Sequence, residues 1–143
     1  MAHKLDVREL ALSRKVGKIF EYACNKGYPP VAFAKRWLES RVFYLMVDMA
    51  EDVISQSYLY IFTLFEEEVQ MNLLDEPDFL VADAMYWTGY LCMYWCFYEG
   101  ITGKDILNHY DIASAMQCYD VLHTLDVRRA IEEIKEEHKQ VFV

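Results

Sequence analysis

The segment FLVADAMYWTGYLCMYWCFY, residues 79–98, decides the fold. Twenty residues hold one formal charge, Asp83, together with six Tyr or Trp rings and two cysteines, Cys92 and Cys96. Such a run is a membrane span, a metal or cofactor site, or the buried axis of a helical bundle. At 3.6 residues per turn it has no polar face. One side carries Leu80, Ala84, Trp87, Leu91, Tyr94 and Tyr98, a second Phe79, Tyr86, Tyr90, Met93 and Phe97, and a narrow third Ala82, Met85, Gly89, Cys92 and Cys96. A helix apolar on every side is buried in protein or in lipid. Leu, Ile and Val supply only three of the twenty positions, tyrosines occupy the middle, and no basic cluster flanks the run. A span would need the reverse. The segment reads as a central bundle helix, capped by Asp78, ended at Glu99-Gly100, with Gly89 and the cysteines forming a close-packing seam. Asp83 falls in its first turn, where the helix dipole favours an acid.

Helical spacing continues on both sides. Asp6 to Cys24 repeats apolar residues at three- and four-residue steps, and Gly27 with Pro29 and Pro30 ends that helix. A second helix starts near Val31 and either breaks at Ser40 or runs on to Val53. Ser55 to Val69 reads as a third, although Tyr58-Leu-Tyr-Ile-Phe-Thr63 also suits a strand. Glu66, Glu67 and Glu68 at its end have the wrong sign for a helix C-terminus, so the helix stops earlier or something basic holds them. Thr102 and Asp105 fit a capping box, Asp111 to His123 forms a further helix, and Asp126 caps a terminal one over 126–140. The expectation is an all-α, single-domain bundle of six or seven helices spanning 1–143, around the aromatic helix 79–98. Only 5 Gly and 3 Pro in 143 residues leave too few turns for an all-β alternative. A chain of this length buries about 68–70% of its unfolded surface without staples.

Charge is strongly polarised along the chain. Residues 1–41 carry nine Lys/Arg against four Asp/Glu, whereas 42–127 carry fifteen acids against Lys104 alone. Such a field disfavours duplex DNA as ligand of the central region and steers a basic partner toward it. Glu66, Glu67, Glu68, Asp75, Glu76 and Asp78 are the candidate partner-binding acids. In the basic third, Arg14, Lys15, Lys18, Lys35, Arg36 and Arg41 could meet phosphates nonspecifically across a bend at Gly27, as in a DNA-binding regulator. The same basic face could instead meet the acidic centre, within one chain or across a homodimer. The opening MAHKLDVREL has no hydrophobic signal core, so a cytoplasmic protein with reduced Cys24, Cys92, Cys96 and Cys118 is expected.

Chemistry is sparse. There is no Gly-rich phosphate loop, nucleophile elbow or paired Glu-x-x-His motif, so neither enzyme nor cofactor is expected. Cys92, Cys96, Cys118 and His123, with His109 in reserve, have spacings a zinc site could use, but no Cys knuckle on a turn accompanies them. Buried thiols acting as small hydrophobes account for the pair. Asp120 could orient His123 across one helical turn, an arrangement that surface polarity explains as well.

Tyr86-Trp-Thr-Gly89, Tyr94-Trp95, Gly100-Ile-Thr-Gly103 with its Lys-Asp-Ile-Leu continuation, and His123-Thr-Leu-Asp-Val-Arg128 resemble a group of uncharacterised short helical proteins of Gram-positive, gut-type bacteria. Phe20-Glu-Tyr-Ala-Cys24, Phe33 and Ser40 are similar too, whereas residues 44–78 depart from the pattern. Members of that group are often encoded in toxin–antitoxin-like cassettes. The resemblance implies a protein that binds another protein and brings no site residues with it. The expected function is an acidic inhibitor, antitoxin-like, masking a basic toxin. The alternative is a phage-type anti-defence inhibitor, of anti-CRISPR or nucleic-acid-mimic kind, that occupies a nuclease groove.

Overall fold

The computed structural model describes residues 3–78 and 81–142, and every regular element among them is helical. In chain order these are α1 (Val7–Lys26), α2 (Pro30–Glu39), α3 (Arg41–Val47), α4 (Glu51–Ile54), α5 (Tyr58–Glu68), α6 (Ala82–Glu99), α7 (Gly103–His109), α8 (Ile112–Gln117), α9 (Tyr119–Leu122) and α10 (Val127–Phe142). Ten helices replace the six or seven expected, because two long runs are cut into shorter pieces. Ser40 separates α2 from α3 in extended backbone while its Oγ accepts the Phe43 N–H. Met49, at φ 60°, ends the turn after α3, so the run toward Val53 resumes only as α4. The helix expected over 111–123 is broken at Cys118 into α8 and α9. Residues 58–63 are helical, capped by the Ser57 hydroxyl.

The central helix begins later than its apolar run. Val81 precedes α6 without a side-chain cap, which corrects the assignment of Asp78 as the N-cap of this helix. Phe79 and Leu80 lie outside the described residues. Asp83 is in the first turn and Gly100, at φ 66°, closes the other end.

Packing places α6 on the axis. It lies along α1 and also touches α3, α7, α8, α9 and α10. Residues 91–97 are all buried. Two glycines let α1 and α6 approach: a Cβ on Gly89 would stand 2.7 Å from the Val16 carbonyl oxygen and from the Phe20 ring, and one on Gly17 3.0 Å from the Tyr86 carbonyl oxygen. A second close approach joins α7 to α2, where a Cβ on Gly103 would stand 2.2 Å from the Leu38 carbonyl oxygen. Around Trp37 lies an aromatic cluster of Phe20, Phe33, Phe43 and Phe65, with ring centroids 5.5–6.1 Å from the indole. Each fully buried side chain of this size contributes about 1.5–3 kcal/mol by leaving water. Among the described residues no helix is long and apolar enough to cross a membrane.

Candidate functional site

The three glutamates ending α5 divide into two kinds. Glu66 accepts hydrogen bonds from Lys26 Nζ (2.7 Å) and the Tyr28 hydroxyl (2.6 Å). Burial pushes its carboxyl up, but those two bonds and the Lys26 charge outweigh that and hold it below the ordinary glutamate value. Tyr28 moves the other way: burial first, then the Glu66 hydrogen bond and charge, push its phenol well up. Glu68 accepts the backbone N–H groups of Arg41 (2.7 Å) and Val42 (3.1 Å) with its two oxygens. Both acids are therefore held, the first by a cation and the second by the N-terminus of α3. The helix does not stop early. Glu67 projects into solvent.

Beyond α5 residues 69–78 form no regular element, and Asp75, Glu76 and Asp78 are exposed there. Val69 is buried in the core, the Leu74 N–H donates to the Gly27 carbonyl (2.7 Å), and the Cys24 thiol donates to the Asp78 carbonyl (3.1 Å). Glu67, Asp75 and Glu76 have no hydrogen-bond or ion-pair partner among the described residues.

The basic residues of the first third make separate contacts. Lys15 Nζ donates to the Ile54 and Gln56 carbonyls at the end of α4, and desolvation there lowers its pKa. Lys18 lies 5.9 Å from the Tyr58 ring on α5, while Arg14 acts on the Tyr90 hydroxyl of α6. Arg36 pairs with Glu39, Arg41 meets Glu68 through its backbone, and Lys35 is exposed.

The cysteines occupy separate surroundings. Cys92 and Cys96 are buried in α6; burial pushes the Cys92 thiol up to about 12 and also raises the Cys96 thiol well above its ordinary value. Cys118 is half-buried, 3.8 Å from a Glu137 oxygen. His123 stacks on Tyr119 (4.3 Å between ring centroids) and its Nδ1–H donates to the Tyr119 carbonyl (2.6 Å). Among the described residues no three His, Cys, Asp or Glu side chains group as a metal site requires.

One feature escaped sequence reasoning. Between α1, α6, α9 and the start of α10 an open groove of about 620 Å³ is lined by Glu21, Asp83, Tyr86, Trp87, Tyr90, Tyr119, His123, Leu125 and Val127. The Trp87 ring meets Tyr119 edge-on at 5.8 Å. The signal was present in Tyr86, Tyr90, Tyr94 and Tyr98, spaced by four, which follow one another along α6 from the second side to the first. The last three of these rings are spaced at 6.1 and 5.9 Å.

No known protein-family model matches the chain, and neither the curated proteins nor the solved structures contain a match to it. The resemblance to the Gram-positive group thus rests on the quoted residues alone.

Proposed function

We propose that this chain is a small acidic protein-binding inhibitor, antitoxin-like, that masks a basic surface of a partner protein. The observation that carries the reading is the charge polarity: fifteen acids against Lys104 over residues 42–127. A field of that sign attracts a basic surface and speeds its encounter. Glu67, Asp75 and Glu76 support it further, because they face solvent and have no hydrogen-bond or ion-pair partner among the described residues. Glu66 and Glu68 belong to the frame that presents them.

The test is co-purification with the products of the flanking genes, read at low and high salt. The triple variant E67K/D75K/E76K leaves the internal contacts of Glu66 and Glu68 in place. The expected outcome is a complex that weakens with salt and loses at least about tenfold in affinity on charge reversal. A complex indifferent to the reversal overturns the surface. The same polarity serves an anti-defence inhibitor that occupies a basic nuclease groove. Rescue from an adjacent toxin favours the first reading, and block of a nuclease the second.

A further inference from the structure

From the groove between α1, α6 and α9 we infer a site for an arginine side chain presented by the partner protein; this deepens the reading just proposed and rests on it. Its lining combines the aromatic residues Tyr86, Trp87, Tyr90 and Tyr119, the last stacked on His123, with the acids Glu21 and Asp83. Ring faces are the negative parts of aromatic side chains and attract a cation. Neither carboxylate has a hydrogen-bond or ion-pair partner among the described residues. That separates them from many acids elsewhere on the chain, which cap helices or pair with Lys26, Lys135 and Arg8. Arg14 stands near the Tyr90 hydroxyl but does not line the groove.

A flat, weakly hydrated guanidinium suits these surroundings better than an ammonium does. It stacks on aromatic faces while its edge N–H groups reach carboxylates, whereas an ammonium is compact and keeps its water. At about 620 Å³ the groove has room for such a side chain, and it is open, as insertion from another protein requires.

The experiment titrates the full chain with N-acetyl-arginine amide and follows the Trp87 indole N–H by NMR, assigned through W87F. N-acetyl-citrulline amide is the neutral isostere, and N-acetyl-lysine amide and tetramethylammonium are the competing cations. The expected result is a saturable shift with arginine that is at least about tenfold weaker with citrulline, and weaker again in E21Q/D83N. Equal response to citrulline, no saturable response, or an unchanged response in E21Q/D83N overturns the site. Tighter binding of lysine amide or tetramethylammonium overturns the choice of arginine. A groove that binds arginine while the partner complex ignores E21Q/D83N leaves the site standing and removes it from the inhibitor interface. Loss of the complex on reversal of Glu67, Asp75 and Glu76 alone bears on the inhibitor reading and not on the groove.

Discussion

Glu68, in the last turn of α5, accepts the backbone N–H of Arg41 at 2.7 Å, so a helix that ends in acids hands its negative end to the start of another helix. With Val42 on the other carboxylate oxygen and Phe43 on Ser40 Oγ, the first three N–H groups of α3 are satisfied. Unsatisfied groups at a helix start are a recurrent cost of ending one helix and beginning another. Replacing Glu68 with Ala leaves two of them without a protein acceptor. The expected loss is about 1–2 kcal/mol in urea unfolding, although Glu68 is exposed and makes no ion pair among the described residues. E67A, one residue away, is expected to change stability by less than about 0.5 kcal/mol.

Gly89 sets the distance between α1 and α6. A methyl there meets the Val16 carbonyl oxygen at 2.7 Å, and backbone cannot swing aside as a side-chain tip can. G89A is expected to cost about 1–3 kcal/mol despite the better helix propensity of Ala. At Gly17 the nearest atoms stand at 3.0 Å, and G17A should cost less. Thermal unfolding of both variants ranks them.

Thiol reactivity follows burial. Cys92 and Cys96 are fully enclosed with thiols pushed up by burial, whereas Cys118 is half-buried beside Glu137. A thiol-reactive dye near pH 8 should label Cys118 first, and reach Cys92 and Cys96 only on unfolding, since the thiolate is the reactive form. Mass spectrometry of partly labelled protein gives the order. Early labelling at Cys92 would contradict the packing described for α6.

Acid weakens the Tyr28–Glu66–Lys26 contact. The Glu66 carboxyl is held below its ordinary value in the folded chain, so its contribution is complete above the ordinary glutamate range and is lost as pH falls through the lower folded value. Asp105 and Asp126 are lowered likewise, the first by hydrogen bonds from Thr102 and the second by those from Arg128. Urea unfolding from pH 7 down to pH 3 should show falling stability. In E66Q the acid-side slope should be shallower, because one proton-linked group is gone.

The elements that were legible in the chain are those whose signals are local. Thr102 with Asp105, and the helix ends at Gly27 and Gly100, are read from a few adjacent residues. The aromatic axis was legible because a helix without a polar face leaves few places to put it. The break at Cys118 was not, since no Pro or Gly marks it. Met49 at φ 60° is likewise a tertiary outcome, imposed on a residue that does not favour it. The two fates of Glu66 and Glu68 depend on Lys26, Tyr28 and Arg41, which are 27–40 residues distant in sequence. The groove could not be found from α6 alone, because Glu21 and Tyr119 reach it from other helices.

The irregular stretch 69–78 after α5 is fastened at Val69, at Leu74 through the Gly27 carbonyl, and at Asp78 through the Cys24 thiol. Asp75 and Glu76, without a hydrogen-bond or ion-pair partner among the described residues, sit between the second and third of these anchors. A loose acidic tail would lose conformational freedom each time it met a partner, at about 1–2 kcal/mol for each residue fixed. Here that freedom is already lost when the bundle folds, so charge repulsion or attraction acts on a surface of settled shape. On the protein-binding reading, cutting the Leu74 tether should slow nothing in the first encounter but should hasten release.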